Sequence, residues 1–232
     1  MELEPFVFHH AGLVTARRDA DGTGGDGTAE AVNRYSLRPL RPEEIAVFTL
    51  DLCHNQVDRH FSRFPEEELE RISGMTPGRP LMERHDLRGS LPRGTFFRSR
   101  LHRDGDRVSV RPEVYVLRTR ENADFILNIE GGVYRETSIG FSFRTPECSV
   151  CGRDLRTCDH VPGRDYGGGS CHFIMRDVIE VIEGSVVSAG SQGTAFVAEG
   201  GAVTASRALT AAREKFHAPV ELWTGGTAWE EE

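Results

Sequence analysis

Glu136-Thr137-Ser138-Ile139-Gly140-Phe141-Ser142-Phe143 is the stretch on which the fold turns. Ile139, Phe141 and Phe143 recur at every second position, with Ser138, Gly140 and Ser142 between them. Successive side chains of a strand point to opposite faces, so the alternation predicts a strand with one core face. Its other face carries hydroxyls and a glycine, where an extended peptide could lie close to bare backbone. A serine in such a place is ordinarily just a polar strand residue. It becomes a nucleophile only if a neighbouring base takes its proton.

Upstream of this strand, Asn122 can cap a helix whose apolar side carries Phe125, Ile126 and Ile129, with Gly131 or Gly132 ending it. Residues 113–119 and 45–52 read as further strands. Asp104-Gly105 marks a hairpin turn in an arginine-rich stretch, where Arg98, Arg100 and His102 alternate with Phe97, Ser99 and Leu101. That pattern suits a solvated hairpin face, or else a docking surface for an acidic partner. Pro65 opens a helix with Glu66, Glu67 and Glu68 in its first turn, Leu69 and Ile72 towards the core, and Gly74 as its end. Residues 17–30 are polar and glycine-rich, and predict a loop or disordered arm. Downstream, residues 178–187 form an apolar strand interrupted by Glu180 and Glu183, and a helix is expected over 206–216. The organisation is thus an N-terminal strand and arm over 1–35, a main domain over 36–197, and a C-terminal tail over 198–232.

The 232 residues suffice for one domain with its own core. A formal charge of −8 argues against nucleic acid as the main ligand, since phosphate binding wants a cationic face. No apolar run is long enough for a membrane helix, and the acidic start lacks the order of a secretion signal, so a cytoplasmic, membrane-free protein is expected.

Four of the five cysteines, Cys148, Cys151, Cys158 and Cys171, crowd into an insert over about 146–172, and Cys53 stands apart. Cys148-Ser149-Val150-Cys151 is a C-x2-C knuckle followed by Gly152, then Cys158-Asp159-His160 and Cys171-His172. Without an export signal this spacing favours a metal over disulfides. A structural zinc would draw four ligands from these residues, Cys148 and Cys151 with Cys158 and Cys171 or His160.

His85 follows Pro80-Leu81-Met82-Glu83-Arg84 and precedes Asp86, while His54 and His60 are rival bases in the segment before it. Spacing does not choose among the three. Residues 57–197 resemble the prohead (capsid maturation) serine proteases of tailed phages, which are related to the herpesvirus assemblins. The resemblance rests on pieces in that family's order. Val57-Asp58-Arg59 precedes the helix bearing Leu69, and Gly78-Arg79-Pro80-Leu81-Met82-Glu83-Arg84-His85-Asp86 is similar to the histidine motif. Ser138-Ile139-Gly140-Phe141 is similar to the nucleophile strand, and Glu183-Gly184-Ser185-Val186-Val187 to the strand that follows. The chain departs from the pattern at Gly184, where valine is usual, and at Ser188-Ala189-Gly190-Ser191, where many members have a proline-alanine-asparagine turn.

The resemblance implies an α+β fold, an assemblin-like β-barrel flanked by helices, with the cysteine-rich zinc insert added. It implies Ser138 as nucleophile, His85 as general base, and Glu183 or, failing it, Glu180 as the acid that orients the imidazole. Asp86 adjoins the histidine, and neighbours in a strand point apart, so it is a poor orienter. The implied substrates are the major capsid protein, scaffold segments and the protease itself. The implied setting is a homodimer inside an immature capsid in the host cytoplasm. The competing readings are a zinc-stabilised scaffold or binding module without activity, and a zinc hydrolase using His85.

Overall fold

The computed structural model describes residues 6–15, as backbone, and 27–188. The helix expected over 206–216, the tail, and residues 17–26 of the arm lie outside the described residues. In chain order the strands are β1 (Phe6–Thr15), β2 (Ile45–Asp51), β3 (Cys53–His54), β4 (Ser62–Arg63) and β5 (Pro80–Glu83), then β6 (Gly94–Asp104), β7 (Arg107–Leu117), β8 (Glu136–Cys148) and β9 (Phe173–Val187). Three helices accompany them: α1 (Thr28–Asn33), α2 (Glu66–Met75) and α3 (Ala123–Glu130). The architecture is α+β with a core made mostly of sheet.

Strand pairing runs β2-β1-β8-β9-β5-β6-β7, and β7 also pairs with β2, so seven strands close into a ring. Strands β3 and β4 branch from it, on β7 and β9. Closure leaves no free edge in the ring, which removes the hazard of unpaired backbone groups. Ile139, Phe141 and Phe143 of β8 are 0–1% exposed. They pack with Phe64, Val178 and Val181 and with Leu69 and Ile72 from α2, as the alternation and the helix period predict. A second cluster sets Phe125, Ile126 and Ile129 of α3 against Phe48, Leu81, Phe96 and Val186.

Several local expectations are revised. α1 starts at Thr28 and buries Val32 completely, so the polar stretch gives way to a helix at its end. α2 runs through Gly74 to Met75 and is closed by Thr76, whose hydroxyl donates to the Ile72 carbonyl (2.7 Å). Asn122 stands at the start of α3 without a capping bond, and its amide donates to the Leu117 carbonyl (3.0 Å). The arginine hairpin is not a plain solvated face. A bulge between Phe96 and Arg98 buries both Phe96 and Phe97, and Arg98 and Arg100 flank the buried carboxylate of Glu113 at 3.5 and 3.0 Å. Those two guanidinium groups neutralise an internal acid. At Gly184, the departure noted from the resembled pattern, a Cβ would meet the Phe96 ring at 2.7 Å.

Candidate active site and metal centre

Strand β9 lies between β8 and β5, and this arrangement gathers the predicted residues. In register, Ser138 of β8 faces Ser185 of β9, Gly140 faces Glu183, and Met82 of β5 pairs with Ser185 from the other side. His85 follows the end of β5, in a turn where Arg84 and His85 both hold positive φ (57° and 58°). That conformation costs a side-chain-bearing residue on the order of 1–2 kcal/mol. Two bonds hold the turn: Arg84 N–H donates to the Val186 carbonyl (3.0 Å), and His85 N–H donates to Ser185 Oγ (3.0 Å). Strain of this kind gathers at functional sites.

The turn brings His85 Nδ1 to 2.6 Å from Glu183 Oε1, with the Glu183 side chain fully buried and that of His85 17% exposed. If Glu183 is ionised its carboxylate can only accept, so Nδ1 is then the donor and, in a neutral ring, Nε2 is an acceptor. Ser138 is 4% exposed and carries its hydroxyl on the face that bears Glu183 and Ser185. Among the described residues no hydrogen bond joins Ser138 to His85. Such bonds commonly tighten only when substrate is bound. A cavity of about 550 Å³ near the ends of β5 and β9 is lined by Arg84, Tyr134, Arg135, Glu136, Val186 and Val187, and its lining includes none of Ser138, His85 and Glu183.

The other candidates separate cleanly. Glu180 is exposed and reaches Ser142 Oγ at 3.5 Å, away from the imidazole. Asp86 caps its own loop, its Oδ1 accepting from Gly89 N–H (2.6 Å), so it is occupied for a reason other than strand alternation. His54 is buried on β3, where its Nδ1 accepts from Gln56 N–H (3.1 Å), and His60 sits exposed in the following loop. Gly140 serves differently from the expectation. A Cβ at that position would collide with Glu183 Oε1, so the bare backbone makes room for the carboxylate. The sequence reading passed over Ser185 as a functional residue. Its place two residues after Glu183, hence on the same strand face, was the available signal.

At the far end of the β8–β9 ribbon, the ligand atoms of Cys148, Cys151, Cys158 and His160 lie within 4.8 Å of one another and could hold a metal ion. Tetrahedral zinc with sulfur ligands at about 2.3 Å would set neighbouring ligands about 3.8 Å apart. The knuckle forms as its glycine predicts: Gly152 takes φ 70° and its N–H donates to the Cys148 carbonyl (2.8 Å). His160 Nδ1 is buried without a hydrogen-bond partner among the described residues, which suits a lone pair directed at a cation. Cys171 stands outside the four, with its sulfur 4.0 Å from that of Cys148. Cys53 is a core residue on β3, and burial pushes its thiol up.

The backbone N–H of Arg153 holds the Cys151 thiol down to about 6, against the opposing pull of desolvation. Its thiolate is therefore present above that value and lost as the pH falls through it. A bound cation should lose this ligand under acid. Metal retained after dialysis, measured from about pH 7 to about pH 5, should drop across this interval.

Ser138 and Cys148 are ten positions apart on one strand, a span of at most about 33 Å at 3.3 Å per residue. The metal cluster and the His85–Glu183 pair are thus separate sites. The chain matches no family model, no curated protein and no solved structure.

Proposed function

We propose that the chain is a serine endopeptidase of the phage prohead maturation type, with Ser138 as nucleophile, His85 as general base and Glu183 as the acid that orients the ring. The observation carrying this reading is the 2.6 Å contact of His85 Nδ1 with the buried Glu183, across strand β9 from Ser138. In this mechanism Nε2 of His85 takes the Ser138 proton as Oγ attacks a peptide carbonyl. The imidazolium then returns the proton to the departing amine, and water repeats the cycle to release the acyl group. A buried carboxylate on Nδ1 favours the imidazolium while it exists.

The metal in this proposal is a structural zinc held by Cys148, Cys151, Cys158 and His160, with four protein ligands and no position left for water. Its distance from His85 speaks against a zinc hydrolase. Capsid protein, scaffold segments and the chain itself are the proposed substrates, with a homodimer inside the immature capsid as the proposed setting. Among the described residues, no helix is long and apolar enough to cross a membrane.

Co-expression with the proposed substrate, a tailed-phage major capsid protein, tests the reading. The intact chain should shorten the capsid protein and itself, and the Ser138→Ala chain should shorten neither. Identical band patterns from the two would overturn the proposal and leave the inactive scaffold as the better account.

A further inference from the structure

We propose that Ser185 is a positioning residue that locks His85 and Glu183 into one geometry, an inference that rests on the protease reading above. Ser185 is fully buried, and its hydroxyl donates to Glu183 Oε2 (2.6 Å) while accepting from the backbone N–H of His85 (3.0 Å). One hydroxyl proton and two lone pairs allow both bonds at once. The carboxylate therefore has a donor on each oxygen, His85 Nδ1 on Oε1 and Ser185 on Oε2. A carboxylate with no exposure needs such donors, because burial removes the water that would otherwise solvate it.

The result is a closed circuit. From the His85 backbone it passes through Ser185 Oγ and the Glu183 carboxylate, and returns to the His85 ring. The same hydroxyl thus fixes the ring's partner and the strained turn that presents the ring. Ser185 itself has little room to move, because its strand pairs at Met82 on one side and at Ser138 on the other. Without the hydroxyl, Glu183 Oε2 would lose this donor and the His85 N–H this acceptor. Carboxylate and ring would then be held together less firmly, although Ser138 itself had not changed.

The test uses the full chain, with Ser185→Ala and Ser185→Thr variants. A 2.6 Å imidazole–carboxylate bond should give a far-downfield proton resonance from His85 Nδ1–H. In Ser185→Ala that resonance should vanish or move upfield, and acylation of Ser138 by a fluorophosphonate probe should slow about 10- to 100-fold. Ser185→Thr, which keeps the hydroxyl, should restore both. An unchanged resonance and an unchanged acylation rate in Ser185→Ala would overturn the inference. If Ser185→Ala fails to fold, the isosteric Ser185→Cys, a weaker donor, should show an upfield shift and slower labelling, and wild-type values there would overturn it equally. Failure of the intact chain to label at Ser138 would instead sink the protease reading, while the resonance still reports whether Ser185 holds the pair.

Discussion

Glu183→Gln should slow acylation of Ser138 by about 10⁴-fold while the fold stays intact. Glutamine keeps the shape of the side chain and can still accept from Ser185, so the circuit keeps its outline. It removes the negative charge beside Nδ1, and its amide can offer an N–H where the ring also offers one. The ring is then driven towards the tautomer that places its proton on Nε2, where a general base needs a lone pair. Fluorophosphonate labelling followed by intact-mass measurement reads the rate. Chemical denaturation gives the control, with an unfolding midpoint unchanged or raised, because a fully buried carboxylate carries a desolvation penalty that an amide avoids. A Glu183→Gln chain that labels at the rate of the original would remove Glu183 from the proposed mechanism.

Stripping the proposed zinc from Cys148, Cys151, Cys158 and His160 should lower the melting temperature by roughly 8–16 °C without touching the proposed chemistry of Ser138 below the new transition. A ligand at about 1,000 times its dissociation constant stabilises the folded state by about 4 kcal/mol. In a domain of this size each kcal/mol moves the midpoint by about 2–4 °C. The insert is coupled to the barrel through a short path. Cys148 pairs with Phe173 where β9 begins, Phe173 N–H donates to the Phe61 carbonyl (2.9 Å), and β4 runs beside the same segment. Loosening the knuckle therefore loosens the start of the strand that carries Glu183 and Ser185 further on. Calorimetry of chelated and zinc-loaded protein, with labelling rates taken well below both transitions, separates the two effects. An immediate loss of labelling in folded, metal-free protein would favour a metal-dependent reaction over the proposed one.

Much of this molecule is written in short-range pattern. Ile139, Phe141 and Phe143 announce a core strand by their spacing of two, and Phe125, Ile126 and Ile129 announce the buried side of α3. Cys148, Cys151 and Gly152 announce the knuckle because the turn needs a residue at positive φ. These features are local, so adjacent residues suffice to state them.

The place of Glu183 beside His85 was not legible in that way. Alternation counted back from Glu183 places Val181 on the same face and Glu180 on the other. Yet Val181 lies in the core and pairs with Phe141, whereas Glu183 pairs with Gly140. The extra residue at 182 is a bulge that exchanges the two faces, and bulges answer to the partner strand rather than to the strand's own sequence. Likewise His160 joins the metal cluster and Cys171 stands beside it only because the loop between them folds back.

The sequence by itself determined β2, the serine strand, α2 and α3, where the cysteines gather, and that Ser138 shares a face with Gly140, since each of these depends on neighbours a few residues away. By contrast, α1 and the short strands β3, β4 and β5 did not show in it. Tertiary structure alone decided that His85 meets Glu183, that Ser185 joins them, and that Gly140 yields its space to a carboxylate. Those contacts link residues about a hundred positions apart (His85 and Glu183 are separated by 98). They arise only when the closed ring of strands sets β5, β9 and β8 side by side.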